Sequence, residues 1–122
     1  MNKYLIYIRS NTFSKLNIDK AKRMLDYSFP NIEFTNPIIS VPSNKTELPF
    51  RNILGSFKSE SPVGAIIETL RSIEYSITLK PRHKVNNKIL IQIELIKHGE
   101  TTPNKDLTNN NTVQTLLKNI NY

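Results

Sequence analysis

The sequence predicts an α+β fold, and three observations predict it. Strand-like alternation of apolar residues appears near both ends of the chain, in Tyr4-Leu5-Ile6-Tyr7-Ile8 and from Ile89 to Leu95. Apolar residues at helical spacing lie between and after these runs, as in Ile18, Ala21 and Leu25. The chain has 122 residues, the size of one domain, so both kinds of element must share one core over residues 1–122.

The elements follow in order. Over residues 3–9, Tyr4, Ile6 and Ile8 alternate against Leu5, Tyr7 and Arg9. Both faces are largely apolar, which predicts an interior strand. Ser10 to Leu16 reads as a loop, and Asn17 as the cap of a helix from Ile18 to about Tyr27 that Pro30 ends. Ile32 and Phe34, then Ile38, Ile39 and Val41, make a second strand broken at Asn36-Pro37. Residues 42–60 carry Pro42, Pro49 and Gly55 and read as a long irregular excursion. Ser61-Pro62 opens a helix whose stripe runs Val63, Ile66, Ile67, Leu70 and Ile73. From Ile73 the period changes to two, which predicts a strand over 73–80 with one wet face. Pro81 to Asn87 is a basic turn. Ile89, Ile91, Ile93 and Leu95 face inward on the next strand, with Gln92 and Glu94 outward. Gly99 to Asn110 is a polar loop. Asn111 with Gln114 resembles a capping box for a short last helix carrying Val113, Leu116, Leu117 and Ile120. The sum is a mostly antiparallel sheet covered by helices, and the opening strand–helix–strand order fits half of a ferredoxin-like sandwich.

Composition narrows the chemistry. The chain has no cysteine, which removes disulfides, thiol nucleophiles and cysteine-built metal sites. Its two histidines, His83 and His98, are too far apart in sequence to share a turn, so no metal site is expected. The carboxylates are scattered and the glycines isolated, so neither an acid/base pair nor a phosphate-cradling loop stands out. The expectation is a protein that is not an enzyme, with no catalytic residue, no cofactor and no small-molecule substrate. No apolar run approaches the ~20 residues of a membrane span, and the strand-like N-terminus does not read as a signal or transit peptide.

Charge is the informative property. The formal net charge is +7, which directs attention to a polyanionic partner. Asn (15), Ile (16) and Lys (12) against two Ala is the vocabulary of AT-rich coding, so arginines are stronger evidence of selection than lysines. Lys3, Arg9, Lys15, Lys20, Lys22 and Arg23 face only Asp19 within residues 1–23. Lys80, Arg82, Lys84 and Lys88, with His83 among them, have no acid nearby. These predict two basic surfaces that neutralise phosphates without reading bases. Arg51 and Lys58 sit beside the apolar residues Phe50, Ile53, Leu54 and Phe57, in a segment suited to folding against RNA or a neighbouring protein. Tyr4, Tyr7 and Tyr75 are read first as packed rings and second as stacking platforms.

The chain also resembles the family of ribosomal small-subunit protein number ten. Tyr4-Leu5-Ile6-Tyr7-Ile8-Arg9-Ser10 resembles that family's first strand, and Phe13, Leu16 and Ile18-Asp19-Lys20-Ala21 its first helix. Asn36-Pro37-Ile38-Ile39-Ser40-Val41-Pro42-Ser43-Asn44-Lys45 resembles the second strand leading into an extended hairpin. Gln92-Ile93-Glu94-Leu95-Ile96-Lys97-His98 resembles the returning strand, and Thr112-Val113 with Leu116-Leu117 the second helix. A rival register puts Tyr75-Ser76-Ile77-Thr78 and Arg82 on the returning strand. The resemblance implies a structural component of the small-subunit head, with a globular part on rRNA and an arm between rRNA and neighbouring ribosomal proteins. It implies RNA contacts at Arg9, Lys15, Lys45, Lys97 and His98, while Arg51, Lys58, Lys80, Arg82, His83 and Lys84 rest on charge alone. It implies a core of Ile6, Ile8, Ala21, Leu25, Ile93, Leu95, Val113 and Leu116. Residues 43–88 exceed the family's arm and read as an enlarged arm or insertion. The family's final strand follows its second helix, and the sequence leaves no residues for it there. Such departures suit a divergent organellar ribosome, in the mitochondrion, with the bacterial cytoplasm as the alternative. Two other readings stand beside this one: a phage or plasmid protein that binds nucleic acid or a host protein, and a small carboxylate-based nuclease.

Overall fold

The structure, a computed structural model, describes residues 1–42, 48–79, 88–120 and 122. In chain order the elements are β1 (Asn2–Ser10), α1 (Ser14–Ser28), β2 (Glu33–Phe34), β3 (Ile38–Ser40), β4 (Phe50–Ser59), α2 (Val63–Thr78), β5 (Gln92–His98), α3 (Lys105–Thr108) and α4 (Asn111–Leu117). The strands form an antiparallel sheet in the order β2-β4-β1-β5, with β3 also on the outer edge of β4. With β2 and β3 taken as the two halves of the strand broken at Asn36-Pro37, this is the order of a ferredoxin-like sandwich.

β1 explains the layering. All five side chains from Tyr4 to Ile8 are buried. Successive residues point to opposite faces of a sheet, so both faces need a cover. Tyr4, Ile6 and Ile8 pack with Ile53, Phe57, Ile93 and Leu95 beneath Ile18, Ala21 and Leu25 of α1 and Ile66, Leu70 and Ile73 of α2. Leu5 and Tyr7 pack with Leu54 and Ile96 beneath Val113 and Leu116 of α4. A seven-residue helix is too short to persist alone, so α4 is held by that burial, about 1.5–3 kcal/mol for each large apolar side chain.

The structure corrects several sequence expectations. Residues 42–60 contain β4, a strand paired on both sides, where irregular chain was expected. Its apolar run does not alternate with polar residues because both of its faces are covered. Gly55 looks like a breaker but marks a close approach: a Cβ there would meet Ile32 Cδ1 at 3.1 Å and Phe34 Cε1 at 3.2 Å. The strand expected over 73–80 is helix through Thr78. Ile66, Leu70, Ile73 and Ile77 continue a helical stripe, and Tyr75, read as a strand residue, stands 56% exposed on α2. Residues 50–78, assigned to an arm or insertion, therefore supply a central strand and a core helix. The rival register through Tyr75 to Thr78 is helical as well. No strand follows α4 among the described residues. β5 closes the sheet instead, so the expected second helix at Thr112 to Leu117 is a cover on the other face.

Caps differ too. α1 begins at Ser14, and Asn17 is buried inside it, donating from Nδ2 to Thr12 O at 2.8 Å. Asn110, not Asn111, caps α4, its Oδ1 accepting from Thr112 and Val113 N–H, while Gln114 donates to Thr108 O. The polar loop contains α3, capped by Asn104.

Two polar arrangements complete the sheet. At the free edge of β5, Glu74 Oε2 accepts from Ile93 N–H at 2.6 Å and Arg71 donates to Ile93 O at 2.9 Å, while Arg71 and Glu74 pair at 2.9 Å. The two side chains occupy the place of a neighbouring strand and shield an edge peptide. Under α4, the Tyr7 hydroxyl donates to Asn52 Oδ1, and Asn52 Nδ2 donates toward Ile38 O and Ser40 Oγ. Burial pushes the Tyr7 phenol above its ordinary value near 10, against the opposing effect of the Arg9 cation.

Glu74→Ala leaves the Ile93 N–H buried without an acceptor, and urea denaturation should show a loss of about 1–3 kcal/mol at unchanged slope. Glu74→Gln keeps an acceptor and should lose less. For Tyr7 the proton is held more tightly in the folded chain than in the unfolded one. Its contribution to stability is full below pH 10 and falls as pH rises through the higher folded value. Ultraviolet titration of the tyrosines should therefore show a late component that Tyr7→Phe diminishes.

Candidate nucleic-acid interface

Strand register decides which cations meet. Lys3 on β1 lies directly opposite Lys58 on β4. On the other side of β1, Tyr4 lies opposite His98 and Leu5 opposite Lys97. A bulge between Leu5 and Ile6 lets both Ile96 and Lys97 turn toward the α4 side of the sheet, Ile96 into the core and Lys97 over the ring of Tyr122. Lys3, Lys58 and Lys97 thus gather from three strands on the α4 side of one end of the sheet, while His98 at the same end stacks on Tyr4 on the α1–α2 side. Like charges directly opposite one another are unfavourable, so this pairing is a cost to the fold unless an anion shares it.

A cleft of about 420 Å³ opens at this end, between Lys3, Asn31, Glu33, Ser56, Lys58 and Tyr122. Its walls are held in place. Asn31 imitates a strand beside β4, donating from Nδ2 to Lys58 O at 3.0 Å and accepting at Oδ1 from Lys58 N at 2.8 Å. The Tyr122 hydroxyl reaches Gly99 O at 2.8 Å and Lys3 O at 3.1 Å, and Lys97 Nζ stands 4.7 Å from its ring centroid. Burial raises the Tyr122 phenol above its ordinary range, helped by the Glu100 carboxylate and Tyr4. His98 stacks on Tyr4 at 6.2 Å. Among the described residues, the ion pairs within 4 Å are both made by Arg71, so neither the cleft lysines nor Glu33 is neutralised by a neighbour.

The other expected residues fall elsewhere. Arg9 lies at the opposite end of β1, where Nε donates to Gln92 Oε1 at 2.6 Å and the guanidinium covers the Phe50 ring at 4.7 Å. That arginine plugs the sheet end. Arg51 is half-buried opposite Ser10, with its Nε enclosed. Lys15 is exposed on the first turn of α1, in a different layer. Lys45, Lys80, Arg82, His83 and Lys84 lie outside the described residues. The sheet therefore brings Lys58 and Lys97 of the expected set to one face, leaves His98 on the other, and adds Lys3, Asn31, Glu33 and Tyr122. Lys3 was visible only as part of a charge run. Its pairing with Lys58 depends on β4, a segment that looks irregular in sequence.

Tyr4 and Tyr7 are core residues, so the sheet offers no aromatic platform through them. Two acids, Glu74 and Glu94, do converge, but on Arg71 at the edge of β5. Among the described residues, no cluster of three or more His, Asp or Glu side chains would hold a metal ion, and no helix is long and apolar enough to cross a membrane. In the comparisons with known proteins, no family model matches the chain and no curated protein sequence matches it significantly.

Proposed function

We propose that this chain is a structural, RNA-binding component of the ribosomal small-subunit head, with rRNA as its polyanionic partner and other ribosomal proteins as its neighbours. The observation that carries the reading is the convergence of Lys3, Lys58 and Lys97 on one face at one end of the sheet. Cations placed on rigid strand ends neutralise backbone phosphates at fixed positions without reading sequence. The order of elements supports the family resemblance in a changed register. A first strand, a first helix, a broken second strand, a returning strand, a second helix and a closing strand are β1, α1, β2 with β3, β4, α2 and β5. The AT-rich vocabulary and the departures from the family pattern favour a mitochondrial ribosome over a bacterial one.

Sedimentation of a native lysate through sucrose gradients, with the chain followed by mass spectrometry, tests the reading. The chain should comigrate with small subunits at low and at high salt. A position at the top of both gradients overturns the proposal. With the purified chain and single-stranded rRNA fragments, Lys3→Gln and Lys58→Gln should each flatten the log–log salt dependence of binding by about 0.7.

A further inference from the structure

The cleft between Lys3, Lys58, Glu33 and Tyr122 carries more than a phosphate contact. We infer that it holds one unstacked nucleotide of the bound RNA and selects guanine. The inference rests on the RNA-binding reading and names what that site takes.

The argument starts from the mixture of charges. A site for phosphate alone needs only cations. This cleft adds a carboxylate, Glu33, placed on β2 opposite Ser56 and so two residues along from Lys58, on the same face of β4. Neither cleft lysine lies within 4 Å of an acid among the described residues, and Glu33 has no cation within that range. Both signs therefore remain available to a ligand. A ligand that satisfies both carries an anion at one end and a hydrogen-bond-donor edge at the other. A nucleotide does so, with its phosphate between Lys3 and Lys58 and its base toward Glu33.

Among the bases, guanine alone presents two adjacent donors, N1–H and N2–H₂, which match the two oxygens of a carboxylate. Uracil offers one donor beside carbonyl oxygens that a carboxylate repels. The Tyr122 ring supplies a wall, and its hydroxyl bonds to Gly99 and Lys3 carbonyls hold it still. Stacking on a fixed ring is open to every base and adds affinity without selection. Asn31 cannot compete for the base, because its amide is committed to the Lys58 backbone. A cleft of about 420 Å³ is of the size that takes one small molecule.

Calorimetry on the full chain with 5′-GMP, 5′-UMP and guanosine tests this. GMP should bind saturably and about tenfold more tightly than UMP, a difference of about 1.4 kcal/mol. Guanosine, lacking the phosphate, should bind more weakly than GMP. Glu33→Ala should abolish the preference, bringing GMP and UMP to a common affinity, whereas Lys58→Gln should weaken both nucleotides alike. Equal affinity for GMP and UMP, or a preference that survives Glu33→Ala, overturns the inference. If that occurs while wild-type chain still binds rRNA fragments with a salt slope that Lys58→Gln flattens, the base pocket fails and the RNA-binding reading stands. Failure to bind rRNA fragments even at low salt removes both.

Discussion

A strand buried on both faces sets the terms for everything else. Five consecutive residues of β1, from Tyr4 to Ile8, are shielded from water. A sheet whose central strand is apolar on one face needs one helical layer, and one apolar on both needs two. α1 and α2 meet the first demand in the manner of an ordinary sandwich. The second falls to a C-terminal segment of poor helical content, where Asn104 and Asn110 must start each short helix by accepting backbone N–H groups. Val113 and Leu116 then bury what Leu5, Tyr7 and Leu54 would otherwise expose. The short helices exist because the sheet needs a lid, not because their sequence favours them.

The same demand places polar groups where strands and helices run out. β5 is an edge strand, and the Ile93 peptide on its outer side meets Glu74 and Arg71 instead of another chain. Asn52 is fully buried under α4, where the Tyr7 hydroxyl and the carbonyls near Ile38 account for its amide. Arg9 ends the apolar run of β1 by lying over Phe50 rather than reaching into water. An unmet buried polar group costs about 1–3 kcal/mol, comparable to a large share of a small domain's stability. These side chains are thus constraints on the fold before they are anything else, and a charged residue on this sheet is not by that fact a ligand contact.

Much of the fold was legible, and the failures share a cause. α1, the strand broken at Asn36-Pro37 and the core of β5 follow from periodicity because each has a clear wet and dry side or a sharp breaker, and β1 follows from an uninterrupted apolar run. β4 does not, since burial on both faces erases alternation and Gly55 imitates a turn while making room for Ile32 and Phe34. The last turns of α2 mislead in the opposite way. Ile73, Tyr75, Ile77 and Leu79 alternate, but Tyr75 is an exposed residue of α2 and Leu79 the exposed residue just past its end, and the buried apolar set is Ile66, Leu70 and Ile73. Local pattern cannot tell two periods apart over so few residues when tertiary packing decides which apolar groups are buried. The site was less legible still. Lys97 and His98 stand out only through the family resemblance, and Lys3 and Lys58 meet only through the β1–β4 ladder.

That ladder ties the cluster to the core. Side chains alternate with a period of two, so a slip of one residue between β1 and β4 would carry Leu54 and Ile53 to the wrong faces together with Lys58. The core forbids the slip because Ile53 and Leu54 are both buried, one on each side. Lys3 opposite Lys58 is then a consequence the protein cannot avoid without changing one of the two residues, and a hydrophobic or acidic residue at either place would remove the repulsion. Both positions instead keep a cation, with Asn31 holding the backbone of Lys58 from outside and Tyr122 touching the carbonyl of Lys3 from above. A repulsive pair that is braced rather than relieved is an arrangement suited to an anion arriving from elsewhere.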